Sequence, residues 1–112
     1  MHKYSIVQAM FDQIGAQARE RHALAVKRVT VRIGAASGVD VGLLKTAYDT
    51  FRVKTICEGA PLDVEEIPER WTCPGGHGDI APGRPLRCGT CGRPARLAAG
   101  DEIVLERLEL EV

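Results

Sequence analysis

The apolar residues of the first twenty positions recur at helical spacing. They stand three or four residues apart and form one broad stripe, at Ile6, Val7, Met10, Phe11, Ile14 and Ala18. Ser5 and Gln8 have the S-x-x-Q spacing of a capping box, which predicts that the helix begins at Ser5. A stripe on one side only predicts a helix that covers a sheet.

The next pattern alternates with a period of two, as in a half-buried strand. In VKRVTVRIG, Val29, Val31 and Ile33 fall on one face, and polar residues fall on the other. The following loop ends at Asp40, a favourable helix N-cap. A second amphipathic helix is predicted to run to about Val53, with apolar positions at Leu43, Leu44, Ala47, Tyr48 and Phe51.

Two further segments have strand-like patterns. LDVEEI predicts a short strand, and the closing DEIVLERLELEV predicts a longer one with Leu108, Leu110 and Val112 alternating against glutamates. Between them, positions 69–99 are rich in Gly, Pro and Arg and poor in large apolar residues. A segment of this size and composition cannot build a core and needs a covalent or metal cross-link.

These patterns predict an α+β fold in which two helices pack on a small three-stranded sheet, with an inserted zinc-ribbon module. The expected domains are residues 1–68 together with 100–112, and the ribbon at 69–99.

Charge and composition exclude several classes of protein. The 112 residues carry fifteen basic and fifteen acidic side chains, so no global field points to nucleic acid or to a membrane surface. The start has no apolar signal segment, and no stretch approaches the ~20 apolar residues that span a bilayer. We therefore expect a cytoplasmic protein. In that reducing compartment, four cysteines favour a metal site over disulfides.

The cysteine spacing predicts a closed Cys3His zinc site. Cys88 and Cys91 form a C-x-x-C, whose two sulfurs can converge on one tetrahedral ion, and Cys73 lies fifteen residues upstream. Position 76, where a four-cysteine ribbon would have its partner, is glycine, so His77 is the predicted fourth ligand. The alternative is a solvated His77, with water or Asp79 completing the shell. Cys57, the remaining cysteine, is predicted to be a partly buried structural thiol.

The amino terminus offers a second donor set. The amine of Met1, the amide nitrogen and ring of His2 and the amide of Lys3 could surround one ion in a plane. Nickel(II) and copper(II) favour square-planar nitrogen sets. On chemistry alone, a histidine at position two is weak evidence, because chain ends are commonly disordered.

Several segments together resemble the HypA/HybF family of hydrogenase nickel-incorporation proteins. They are MHKYSIVQ, VRIGAASGVD, TICEGAPLDVEE, the CGTCG ribbon and GDEIVLERLEL, in the family's order over essentially the whole chain. The resemblance implies that His2 binds nickel with backbone nitrogens from Met1 and Lys3, and that Cys73, Cys88 and Cys91 hold structural zinc. Two departures are Lys3, where the family usually has glutamate, and Gly76, where it has a zinc-ligand cysteine.

The resulting prediction is a nickel metallochaperone that delivers Ni(II) as transient cargo to a [NiFe]-hydrogenase large-subunit precursor. The resemblance also implies a HypB-type GTPase partner, and we expect a monomer or weak homodimer. We find no nucleophile–base pair, Walker loop or Rossmann fingerprint, so an enzyme is not expected. The alternative is a zinc-ribbon adaptor or nucleic-acid-binding module that has lost nickel delivery, since the ribbon has an excess of arginine. The neutral total charge argues against nucleic acid.

Overall fold

A computed structural model describes residues 3–112, with side chains from residue 5 onward. The chain forms two helices and five strands. In chain order they are α1 (Lys3–Glu20), β1 (Ala25–Gly34), α2 (Val41–Phe51), β2 (Leu62–Ile67), β3 (Arg70–Thr72), β4 (Arg96–Ala99) and β5 (Ile103–Glu111). The α+β class and the two-helix, three-stranded arrangement are therefore as predicted.

The start of helix α1 differs from the sequence prediction. Helix α1 begins at Lys3, so Ser5 lies inside its first turn and the predicted capping box is wrong. The other end closes with His22 at φ 54°, while the N–H of Ala23 donates to the carbonyl of Ala18 at 2.9 Å. This is the Schellman closure that usually uses glycine.

Helix α2 starts as the sequence predicted. The carboxylate of Asp40 accepts a hydrogen bond from the N–H of Leu43 at 3.0 Å. The helix ends at Phe51, two residues before the predicted end at Val53. It buries Leu44, Ala47 and Tyr48 and leaves the outer side more open.

The main sheet has the order β2-β1-β5, with β1 parallel to β2 and antiparallel to β5. Two register shifts interrupt the β1–β5 pairing, one between Val26 and Arg28 and one opposite Glu106. Each shift inserts one extra residue and changes which face the following side chains occupy. As a result, Leu105 and Leu108 both face the core although they are three residues apart.

One face of this sheet packs against both helices to form the core. The buried cluster combines one side of each helix with the inner face of β1 and the segment before β2, at Ile6, Val7, Met10, Ile14, Val26, Val29, Val31, Ile33, Leu44, Ala47, Tyr48, Cys57, Ala60 and Leu62. The Phe11 and Tyr48 rings stack with centroids 5.5 Å apart, and the Tyr48 hydroxyl donates to the carbonyl of Ala60 at 2.9 Å. Val112, predicted to continue the β5 pattern, lies beyond the strand and is 81% exposed.

The opposite face of the sheet is polar. Arg28, at its centre, pairs with Asp63 on β2 and with Glu109 on β5, the latter at 3.2 Å. These pairs are exposed, so they contribute little to stability, but they match the alternation seen in the sequence.

The second sheet, β3 with β4, emerges from the end of the first through a close backbone crossing. The N–H of Ala36 donates to the carbonyl of Gly100 at 2.7 Å, and the N–H of Gly34 donates to Glu102 at 2.8 Å. A Cβ on Gly34 would overlap the carbonyl of Gly100, and Gly100 itself has φ 101°. Both glycines are therefore required by this junction.

The molecule is elongated, with extents of 55 × 26 × 17 Å over the described residues. Its radius of gyration is 17.8 Å, whereas a compact chain of this length has about 13 Å. In the part of the chain that the structure describes, no helix is both long enough and apolar enough to cross a bilayer.

Candidate metal centres

Two short loops at the outer end of the β3–β4 hairpin carry the predicted zinc ligands. The first follows β3, where the N–H of Cys73 donates to the carbonyl of Gly78 at 3.0 Å and the N–H of Gly76 donates to Cys73 at 3.1 Å. Gly76 and Gly78 have φ values of 87° and 95°. These left-handed residues turn the chain back and place His77 beside Cys73.

The second loop has a similar construction around Cys88. Its N–H donates to the carbonyl of Arg93 at 2.9 Å, and its carbonyl accepts from the N–H of Gly92 at 2.8 Å. In each loop an amide two residues on donates to a sulfur, Gly75 to Cys73 and Thr90 to Cys88, both at 3.3 Å. The two loops therefore form paired knuckles whose amides already favour negative sulfur.

The ligand atoms of the two knuckles meet in one cluster. One atom from each of Cys73, His77, Cys88 and Cys91 lies within 4.8 Å of all the others. The Cys73 sulfur is 3.3 Å from His77 Nδ1 and 3.6 Å from the Cys91 sulfur. A tetrahedral zinc ion with Zn–S of about 2.3 Å and Zn–N of about 2.0 Å has edges of roughly 3.5–3.8 Å. A disulfide would need about 2.05 Å between sulfurs, so the spacing fits a shared ion and not a bridge.

The electrostatics of the knuckles favour thiolates. A hydrogen bond from the backbone of His77, supported by that of Gly75, lowers the pKa of Cys73 to about 7. Backbone hydrogen bonds from Cys91 and Thr90 likewise lower the pKa of Cys88. Thiolate is the form that binds a metal, so the cluster is prepared to accept a cation.

The third thiol behaves differently. The backbone N–H of Arg93 favours the Cys91 thiolate, but desolvation and the neighbouring sulfurs of Cys73 and Cys88 outweigh it and raise the pKa of Cys91. Three negative sulfurs in so small a space repel one another unless a cation lies between them.

The two protein side chains considered for the fourth ligand lie in different surroundings. His77 Nδ1 points into the cluster, whereas the Asp79 carboxylate lies 3.8 Å from the guanidinium of Arg70. Cys57 lies in the helix-bearing core with no exposed surface, and burial raises its pKa. Among the described residues, this one group of four has ligand atoms close enough to share an ion.

Sequence reasoning missed the groups that support the knuckles. The side chain of Arg93 packs against Gly75, so that a Cβ there would be 3.1 Å from its guanidinium. Arg87 donates from its guanidinium to the carbonyl of Gly92 at 2.9 Å. The sequence carries no signal for either contact, because both depend on the direction in which an arginine side chain points. The hydrogen bond from the N–H of Thr90 to the Cys88 sulfur, by contrast, is typical of a C-x-x-C knuckle.

The predicted nickel ligands lie at the edge of the described chain. Met1 and His2 are outside the described residues, and Lys3 is described by its backbone alone, as the first residue of α1. The start of α1 is near the ribbon junction, since Ser5 and Ile6 line a cavity of about 240 Å³ together with Ile103, the first residue of β5.

Comparison with known protein families gives one match over nearly the whole chain. The family described as "Hydrogenase/urease nickel incorporation, metallochaperone, hypA" matches residues 1–110. Among curated relatives, Hydrogenase maturation factor HypA of Shewanella baltica (strain OS185) is 35% identical over 113 residues, which cover 99% of this chain and 97% of the relative. The factor of the same name from Aquifex aeolicus (strain VF5) is 36% identical over 114 residues, covering 100% and 99%.

Solved structures agree with the sequence relatives. The solution structure of the Ni metallochaperone HypA from Helicobacter pylori aligns with a TM-score of 0.74 at 28% identity, covering 99% of this chain and 98% of that one. A second structure, titled "Solution structure of HypA protein", has a TM-score of 0.78 at 28% identity, with 98% and 96% covered. The adaptor or nucleic-acid alternative finds no support in these comparisons.

Proposed function

This chain belongs to the HypA family of hydrogenase/urease nickel-incorporation metallochaperones, and we propose that it binds Ni(II) at its amino terminus and delivers it during maturation of a [NiFe]-hydrogenase. The observation that carries the proposal is the family match from residue 1 to residue 110, which includes the Met1–His2 start.

The donor chemistry of the first three residues supports nickel as the cargo. The Met1 amine, the amide nitrogen and ring of His2 and the Lys3 amide are four nitrogens on consecutive residues, which suits a square-planar ion. Two of these donors must lose an amide proton before they can bind, so nickel affinity rises with pH. Lys3 adds a positive charge beside the cation, which lowers affinity relative to a chain with glutamate there.

We propose that zinc at Cys73, His77, Cys88 and Cys91 has a structural role. The set supplies four ligands and leaves no open position for substrate or water, which is the mark of a structural zinc site. When bound, the ion supplies cross-linking of the two knuckles. The protein's own amides at Gly75 and Thr90 hold the sulfurs in the orientation that the ion needs.

The partners that fit this role are a HypB-type GTPase accessory protein and the large-subunit precursor of the client hydrogenase. We place the transfer in the cytoplasm, because four unpaired cysteines are stable as thiols or thiolates in a reducing compartment. We also propose that residues 1–68 with 100–112 form the nickel domain, and that residues 69–99 form the zinc-ribbon domain.

The test is a Ni(II) titration of zinc-loaded protein with an authentic, untagged Met1, beside His2→Ala. We expect one equivalent of nickel with a square-planar absorption spectrum in the parent protein, and loss of that binding in the variant. Removal of the imidazole breaks one of two fused chelate rings, whereas the fold is held by a core that begins at Ile6.

Zinc content and circular dichroism of the same samples provide the control. Unchanged zinc and helix content in His2→Ala assigns the loss of nickel to the terminus. Equal nickel binding by both proteins would overturn the terminal site. A variant that loses zinc or helix together with nickel would contradict the separation of the two metal centres.

A further inference from the structure

The ribbon carries a net positive charge, and the rest of the chain carries a net negative charge of the same size. Positions 69–99 contain five arginines, no lysine and two acids, an excess of three positive charges, so the remaining positions carry an equal negative excess. Three thiolates with one Zn²⁺ add a single negative charge, so a zinc-loaded ribbon stays positive. Arginine is the residue best suited to bind carboxylates in pairs of parallel hydrogen bonds.

Two of the five arginines, Arg84 and Arg87, line a pocket beside the second knuckle. The pocket has a volume of about 490 Å³, and we call it the arginine pocket; it is lined by Asp79, Ile80, Ala81, Arg84, Pro85 and Arg87 and extends to Cys88 and Gly89. Its wall is therefore both apolar and basic. Its one acid, Asp79, already has Arg70 as a partner at 3.8 Å.

The two arginines of the pocket differ in how they are held. Arg87 is fixed by its bond to the carbonyl of Gly92 at 2.9 Å. Arg84 is exposed, and among the described residues its guanidinium has no hydrogen bond or ion pair. Leu86, between them in the sequence, is 49% exposed.

We propose that the arginine pocket docks an acidic segment of a protein partner, with carboxylates on Arg84 and Arg87 and an apolar side chain against Ile80 and Pro85. Charge complementarity identifies the occupant as acidic, and the apolar wall favours a peptide over a nucleic acid. The ribbon has one aromatic residue, Trp71, whereas single-stranded nucleic-acid sites commonly stack bases on several aromatic side chains.

The pocket depends on the metal cluster for its shape. Cys88 and Gly89 form part of its wall, and the N–H of Ala95 ties the loop to the carbonyl of Leu86 at 2.9 Å. Few apolar contacts hold this loop, so the cross-link between the knuckles fixes where Arg87 points. Docking therefore requires a metal-loaded ribbon. The inference rests on the proposed structural zinc site, and it is independent of nickel and of the proposed delivery role.

The test measures binding of a labelled peptide of about twelve residues, rich in glutamate and with two leucines, to zinc-loaded full-length protein by fluorescence anisotropy. Arg84→Glu should weaken binding about tenfold, because an attraction becomes a repulsion at the rim of the pocket. Arg21→Glu makes the same charge change near the far end of α1 and should leave binding unchanged. Chelation of zinc should abolish binding.

The charge of the peptide and the salt concentration test the electrostatic part of the binding. A peptide with glutamine in place of glutamate should bind weakly, and raising the salt from about 50 to 200 mM should weaken the acidic peptide severalfold. Equal loss in Arg84→Glu and Arg21→Glu would overturn the pocket. Tight binding of single-stranded DNA of matched charge with no binding of the peptide would overturn the peptide assignment. Unaltered binding after zinc removal would overturn the metal requirement.

Discussion

The four cysteines differ in what surrounds their sulfur atoms. Cys73, Cys88 and Cys91 lie in the cluster at the tip of the ribbon, and backbone amides lower the pKa of the first two. Cys57 has no exposed surface and lies among apolar side chains near Tyr48, where burial raises its pKa. Reactivity toward thiol reagents follows thiolate character and access. Removal of the metal should open the ribbon and expose the three cluster sulfurs, whereas Cys57 stays in the core, so the cysteines fall into two classes.

We predict that chelator-treated protein reacts rapidly at three thiols and slowly at the fourth. Ellman's reagent at pH 8 should modify the cluster cysteines, and Cys57 should react after denaturant is added. In Cys57→Ala the rapid phase should be unchanged and the slow phase absent. Four thiols of equal reactivity in native protein would contradict the burial of Cys57.

His77 is the predicted fourth ligand of the cluster, and the sequence left Asp79 or water as the alternative. Its ring nitrogen is 3.3 Å from the Cys73 sulfur because Gly76 and Gly78 take left-handed conformations that turn the loop inward. The spacing of the cysteines predicted the cluster, but the choice between His77 and Asp79 depended on side-chain direction. That direction is set by the loop and by the Arg70–Asp79 pair, neither of which is visible in a one-dimensional pattern.

We predict that His77→Ala loses zinc to a competing chelator at least about tenfold faster than the parent protein, because three ligands leave the ion open to attack. A chromogenic chelator assay gives the rate. His22→Asn is the matched control, since asparagine tolerates the left-handed conformation at that helix end. Identical rates for the parent and His77→Ala would remove His77 from the zinc shell.

At the scale of elements, two glycines determine how the ribbon leaves the main sheet. Gly34 at the end of β1 and Gly100 before β5 approach through their backbones, with no room for a side chain at either position. The hydrophobic pattern of the sequence gave no sign that Gly34 and Gly100 lie against each other. Their pairing is a property of the folded chain, because sixty-five residues separate them.

We predict that Gly100→Ala lowers the free energy of unfolding by about 2–4 kcal/mol. Its φ of 101° strains any other residue, and the new Cβ would be 2.7 Å from the carbonyl of Pro68. Urea denaturation measures the change. Gly59→Ala is the control, since no atom lies within 4 Å of its added methyl group, and we expect a change within about 0.5 kcal/mol. Equal effects of the two substitutions would refute the tight junction.

The element boundaries show where sequence patterns are insufficient. The alternation in β1 and the cap at Asp40 were predicted correctly, because both depend on neighbours in the chain. The start of α1 was placed two residues late at Ser5, since a capping-box spacing also occurs by chance inside helices. The extra residue at Glu106 could not be predicted, because a bulge is defined by the partner strand.

At the scale of the whole molecule, the buried hydrophobic residues are unevenly distributed along the chain. The hydrophobic cluster is built entirely from residues between Ile6 and Leu62, with partly buried residues of β5 against it. Within 69–99, only Cys73 and Cys88 are buried hydrophobic residues. We therefore expect the ribbon to depend on a bound metal ion for its fold, whereas the helix-bearing part has its own core.

We predict that chelation of zinc unfolds the ribbon and leaves the core intact. Amide hydrogen exchange should become fast between Arg70 and Ala99, while the amides of β1 from Val29 to Ile33 stay protected. Re-addition of zinc should restore the pattern. Loss of protection throughout the chain would contradict the proposed division into two domains.

By itself, the sequence determined the classes of structure and chemistry present. Hydrophobic spacing predicted two helices and three main strands, and C-x-x-C with its upstream cysteine predicted a metal cluster, because both signals arise from neighbouring residues. The tertiary structure alone decided three things: which ring or carboxylate faces the cluster, how Gly34 and Gly100 cross, and which arginines share a pocket. Each depends on atoms that are distant in the chain or on the direction of a side chain, and only the folded backbone brings these together.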